Sequence, residues 1–197
     1  RELGHTVYDC TCDNGTGQTD VLQKIVAKCN AHEVDLDVSI HFNSGAGDQA
    51  GNDKTTGVEA YVYSASSAAK SYAEKICQAV ADQGFRNRGV KYSTTLYVLK
   101  HTKAPAVLVE CCFVDDRDDV ELYDYQKMAA AIVYGITGQS IQESQETAPA
   151  DPGEETPVGN PKELYRVQVG AYGVKANADA MKARLQEAGF DAIIVKA

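Results

Sequence analysis

Strands and helices alternate along most of this sequence. That predicts an α/β fold, a layered sheet with helices on both faces, followed by a small α+β (βαβ) C-terminal unit. Three observations carry the reading. The run Ala106–Phe113 is almost wholly apolar, as a central strand covered on both faces requires. Stripes of apolar residues at helical spacing separate it from other short β-rich runs. Then the composition breaks: four of the five prolines, Pro149, Pro152, Pro157 and Pro161, fall within 138–162 among acidic residues and without apolar periodicity. That is the signature of an extended linker. The expected organisation is therefore a first domain over 1–137, a linker over 138–162 and a small unit over 163–197.

Gly4–Thr11 is rich in β-formers and is expected to be a strand. After the turn residues Asp13–Gly17, Val21, Leu22, Ile25, Val26 and Cys29 form the apolar stripe of a helix over 18–32. A strand over Asp37–Phe42 alternates Val38, Ile40 and Phe42 with Asp37, Ser39 and His41, and opens into a loop rich in Gly, Asp and Asn. Gly57–Tyr63 is a further strand. Ser66 is a suitable N-cap for a helix that buries Ala69, Tyr72, Ala73, Ile76, Cys77 and Val80 and stops at Gly84. Phe85–Lys91 is expected to be a polar, basic connection. Leu96–Leu99 is read as a strand ahead of Ala106–Phe113, and one helix is expected over 118–136, its acidic start favoured by the helix dipole. In the last unit, Leu164–Tyr172 alternates as a strand, Asn177 caps a helix that Gly189 ends, and Ala192–Val195 is a second strand. One such βαβ unit is short for a domain standing alone.

Composition excludes some functions. With a formal net charge of −9 and a pI near 4.9, a nucleic-acid backbone is a poor main partner, since phosphate binding needs a basic surface. No apolar run reaches the ~18 residues that span a bilayer. The opening Arg1-Glu2-Leu3-Gly4 reads as the end of a helix entering a strand, without an apolar leader, so the chain is expected to begin inside a domain. Six cysteines lie at 10, 12, 29, 77, 111 and 112. Cys29 and Cys77 fall on apolar helix faces, and no CxxC spacing occurs, so reduced thiols are expected rather than a structural zinc cluster.

Two residues stand out chemically. His41 comes late in its strand, just before a long loop, the place where α/β proteins put their chemistry. A strand-end histidine satisfied by a backbone carbonyl would look the same in sequence. Glu110 sits inside Ala-Val-Leu-Val-Glu-Cys-Cys-Phe, where an unpaired carboxylate is costly to bury. A structural ion pair and a general base with raised pKa both account for it.

Ser39-Ile40-His41-Phe42-Asn43 and Leu108-Val109-Glu110-Cys111-Cys112-Phe113-Val114-Asp115 resemble the signatures of the zinc-dependent N-acetylmuramoyl-L-alanine amidases of the amidase-3 type. Arg86-Asn87-Arg88-Gly89-Val90-Lys91 resembles the clostridial and phage lysin members of that family. The resemblance covers roughly 1–137. It implies that His41 is a zinc ligand, that Glu110 is the catalytic residue, and that the substrate is the amide joining N-acetylmuramic acid to L-alanine in peptidoglycan. Asn43 would hold His41 or the substrate. The family's other two ligands, a histidine and a glutamate, are expected before the point where this chain opens; His5, His32, His101, Glu33 and Glu59 do not replace them. Tyr165–Tyr172, Asn177-Ala178 and Leu185–Phe190 resemble the first half of a sporulation-related (SPOR) repeat, which implies binding to peptidoglycan glycan strands. Together these imply a cell-wall hydrolase acting outside the cell or in the wall, secreted or released by phage lysis. The alternative is a non-catalytic wall-binding protein whose metal site is incomplete.

Overall fold

The computed structural model describes residues 3–141, 175–187 and 193–194. The chain divides into two compact units, Arg1–Gln145 and Glu146–Ala197. In the first, the order is α1 (Gln18–Cys29), β1 (Asp37–Asn43), β2 (Val58–Val62), α2 (Lys70–Ala81), β3 (Asn87–Tyr92), α3 (Tyr97–His101), β4 (Ala106–Phe113), α4 (Arg117–Leu122) and α5 (Tyr125–Thr137). The second contributes α6 (Lys175–Glu187).

The four strands form one mixed sheet in the order β1-β4-β2-β3. β4 pairs parallel with β1 and antiparallel with β2, and β2 pairs parallel with β3. The apolar run of β4 thus lies inside the sheet, as its composition requires. On one face, Val58, Ala60, Val62, Val107 and Val109 pack against Ala73, Ile76 and Val80 of α2 and Met128, Ala131 and Ile132 of α5. These helices approach closely at Gly135, where an added Cβ would lie 2.6 Å from the Ile76 Cα. On the other face, Val26 of α1 and Val98 and Leu99 of α3 cover Ala106 and Leu108. The expected α/β architecture, with helices on both faces, is present.

Several local expectations are corrected. Residues 4–11 form no strand. A β-former run needs a ladder, and this one instead follows α1: the Tyr8 ring stacks on His32, and Lys28 Nζ donates to the Thr11 carbonyl. Leu96–Leu99 is not a strand either; Tyr97–His101 is a short helix. The Ser93 hydroxyl accepts from the Thr95 and Leu96 amides and turns the chain there. The basic connection is strand β3, whose positive charges suit a sheet edge. Val58 pairs with Asn87 but Ala60 with Val90, so β3 bulges by one residue, and Gly89 supplies the left-handed φ of 74°. The single helix expected over 118–136 is two, because Asp116 and Asp124 each act as an N-cap: Asp116 accepts from the Asp119 amide, and Asp124 from the Gln126 and Lys127 amides. α1 stops at Cys29, and α2 starts after Ala69 rather than at a Ser66 cap. Asn177 lies inside α6 instead of capping it, and Ile193 and Ile194 are in no strand. The strand expected over 164–172 lies outside the described residues.

Candidate active site

The sheet brings the two singled-out residues together. Parallel pairing of β1 with β4 sets His41 directly opposite Glu110, and antiparallel pairing of β2 with β4 sets Glu59 opposite Glu110 from the other side. Residues paired across strands share a face, so His41, Glu110 and Glu59 form a row. Arg88, at the β3 bulge, extends it: its Nε donates to Glu59 Oε2 at 2.7 Å. The row crosses all four strands on the side covered by α1 and α3.

The two carboxylates differ sharply. Glu59 is 3% exposed and fully engaged. Its Oε1 accepts from Asn43 Nδ2 at 3.0 Å and from the Tyr61 hydroxyl at 2.9 Å, while Oε2 takes Arg88. Burial opposes its charge, but the bonds from Arg88 and Tyr61 and the charges of Arg88 and Lys91 outweigh burial and hold Glu59 below its ordinary pKa. Tyr61 answers in kind: burial and its bond to Glu59 push the phenol up to about 12. The Arg88 guanidinium also lies 4.9 Å from the centre of the Phe113 ring.

Glu110 has the opposite character. Its Oε2 is buried and has no hydrogen-bond partner among the described residues. Burial raises its pKa, His41 pulls it down, and the neighbouring Glu59 charge pushes it up again. A carboxyl in this state holds a proton more readily than a solvated one and can exchange it with a molecule in front of it. His41 is exposed, and its Nε2 lies 2.9 Å from the Ser39 hydroxyl. Asn43, singled out in sequence as a support for His41 or the substrate, gives its amide to Glu59.

Just beyond the row, the loop leaving β1 is tied down by one acidic segment. Asp115 accepts from the amides of Gly45 (2.8 Å), Ala46 (3.2 Å) and Gly47 (2.9 Å). Asp118 takes the Asn52 amide, Asp116 the Thr56 amide, and buried Asp119 the amides of Gly57 and Phe113. These bonds fix the point where β1 and β4 end side by side. The cluster was missed in sequence because all of these bonds except that of the Phe113 amide join residues 60 to 70 positions apart.

The fold is thus a mixed α/β sheet that sets a buried carboxyl with raised pKa beside a histidine late in its strand. The chain belongs to the N-acetylmuramoyl-L-alanine amidase family, whose sequence profile matches residues 2–138; a SPOR domain profile matches residues 158–197. The N-acetylmuramoyl-L-alanine amidase CwlM of Bacillus licheniformis is 33% identical over 183 residues, 90% of this chain and 63% of that protein. The sporulation-specific N-acetylmuramoyl-L-alanine amidase of Bacillus subtilis is 29% identical over 163 residues, 82% of this chain and 56% of that protein. The chain therefore spans less than two thirds of the length of these relatives. Among solved structures, the catalytic domain of an endolysin targeting Clostridia difficile superposes with a TM-score of 0.56 at 27% identity, covering 64% of this chain and 67% of that one.

Proposed function

We propose that the chain carries the catalytic part of a peptidoglycan hydrolase that cleaves the amide between N-acetylmuramic acid and L-alanine, with Glu110 as general base and acid. The observation that carries this reading is the buried Glu110 oxygen, without a hydrogen-bond partner among the described residues, on the same rung as His41. Glu110 takes the proton of the attacking water and returns it to the departing amine, so the amide C–N bond breaks as the new C–O bond forms. Family membership supports the substrate class. Asn43 acts through Glu59, orienting the carboxylate beside Glu110.

The resemblance implies a zinc ion, which would acidify a bound water, and His41 is the donor this chain offers it. Among the described residues no group of three or more His, Cys, Asp and Glu side chains is placed to hold a metal, and both oxygens of Glu59 are committed elsewhere. These residues alone do not fit a complete zinc site, which needs three protein ligands. That mismatch favours one second reading, a wall-binding protein that hydrolyses nothing.

The SPOR match supports attachment to glycan strands, with the amidase domain over 1–137, an acidic linker over 138–162 and the binding unit over 163–197. Tethering would raise the local substrate concentration. Action in the cell wall or outside the cell follows from that substrate. Among the described residues no helix is long and apolar enough to cross a membrane.

The test measures zinc per chain and the free L-alanine amino termini released from peptidoglycan by the protein and by Glu110→Ala. Release should fall by about 10²-fold or more in the variant. Undiminished release would remove Glu110 from its role. Binding to walls without any release by the parent protein would select the second reading.

A further inference from the structure

Three contacts lay residues 8–14 along α1 and the turn that follows it. The rings of Tyr8 and His32 stack at 3.7 Å with planes 10° apart. Lys28 Nζ donates to the Thr11 carbonyl, and Lys24 Nζ donates to the Asn14 carbonyl at 2.9 Å. The partners are three apart on the segment (8, 11, 14) and four apart on the helix side (32, 28, 24), so the two run antiparallel in a regular register. That register places position 10 against position 29, and both positions are cysteine. Both are partly exposed free thiols. Burial, a hydrogen bond shared with Cys10 and the nearby Asp37 carboxylate push the Cys29 thiol up to about 12. Cys12 falls outside the match: its thiol points to Asn14, 3.4 Å from the carbonyl oxygen. Cys77, Cys111 and Cys112 are buried in the core on the other face of the sheet.

We propose that Cys10 and Cys29 are a redox site, closing to a disulfide that staples the segment before α1 to the last turn of that helix. The oxidant is a small-molecule disulfide of the glutathione class. The Cys10 thiolate attacks one sulfur of the reagent, and one reagent thiolate leaves. The Cys29 thiolate then attacks the Cys10 sulfur of the mixed disulfide and expels the second reagent thiolate. Two protein thiols are oxidised and one reagent disulfide is reduced to two thiols, which carry away the two protons. Because burial and the contact with Cys10 hold the Cys29 thiol up, its attack on the mixed disulfide quickens as pH rises.

The protein is incubated with oxidised glutathione or with dithiothreitol, alkylated, cut with trypsin and an aspartate-directed protease, and mapped without reduction by mass spectrometry. The expected product is a Cys10–Cys29 cross-linked peptide in wild type and in Cys12→Ser, absent from Cys10→Ser and reversed by dithiothreitol. Oxidised wild-type protein should also melt roughly 5 °C or more above the reduced form, since the bridge constrains the unfolded chain. A map showing only glutathione adducts, a Cys12–Cys29 bridge, or unmodified Cys10 and Cys29 would overturn the proposal. The wild-type map decides this even if a serine variant folds poorly.

Discussion

Glu59 and Glu110 face each other across one rung, and the difference between them lies in their donors. Glu59 has Arg88, Tyr61 and Asn43; Glu110 Oε2 has none among the described residues. Removing the Arg88 cation leaves a buried carboxylate without its main counter-charge, which typically costs about 3 kcal/mol. Arg88→Met should accordingly lower stability by that order in urea unfolding, whereas replacing exposed Arg117, which pairs with Glu121 on its own helix and donates to the Ala50 carbonyl at 3.4 Å, should change it far less. Equal losses at the two sites would mean that the Glu59–Arg88 pair is not a buried pair in solution. His41 and Glu110 were legible in sequence because each breaks a local pattern: a histidine before a glycine-rich loop, and a carboxylate inside an apolar run. Glu59 and Arg88 were not. Each looks ordinary where it stands, and only the pairing of β2 with β3 makes them partners.

Among elements, the acidic segment 115–119 does the most with the fewest residues. Asp115 sits below its ordinary pKa because the Gly47 and Gly45 amides donate to it, outweighing burial. A carboxylate whose pKa is depressed on folding adds stability above its unfolded value, near 4, and that contribution is lost as pH falls through the folded value. Wild type should therefore melt above Asp115→Asn at about pH 6, with the gap closing towards about pH 3. A gap that stays constant with pH would remove the charge of Asp115 from the account. The same segment shows where element boundaries escaped the sequence. Asp124 lies within a stretch of continuous helical periodicity, and only its bonds to the Gln126 and Lys127 amides reveal a second N-cap. Leu96–Leu99 failed for a related reason: four apolar or aromatic residues suit a short strand and a short helix equally, and Ser93 decides between them. The long, strongly patterned β4 run was readable to the residue.

The whole molecule distributes its apolar residues unevenly across the sheet. Ile76 of α2 is wholly buried, while Ile40 of β1 is 60% exposed, beside exposed Val38 and Phe42. The same substitution should therefore give very different results: Ile76→Ala should cost about 2–5 kcal/mol and Ile40→Ala less than ~0.5 kcal/mol, both by denaturant unfolding. A large loss at Ile40 would show that β1 is covered in solution. The sheet also has a property no single strand possesses. His41, Glu110, Glu59 and Arg88 come from four strands and meet only while three pairings hold their alignment, the last through the bulge at Gly89. Side chains alternate faces along a strand, so a slip of one residue in β3 would carry Arg88 to the opposite side of the sheet. The chain would keep its secondary structure and its core but leave Glu59 without its cation. Loop lengths around β3 are thus under a parity rule: changes that preserve the rung keep the row intact, and those that shift it by one dismantle it.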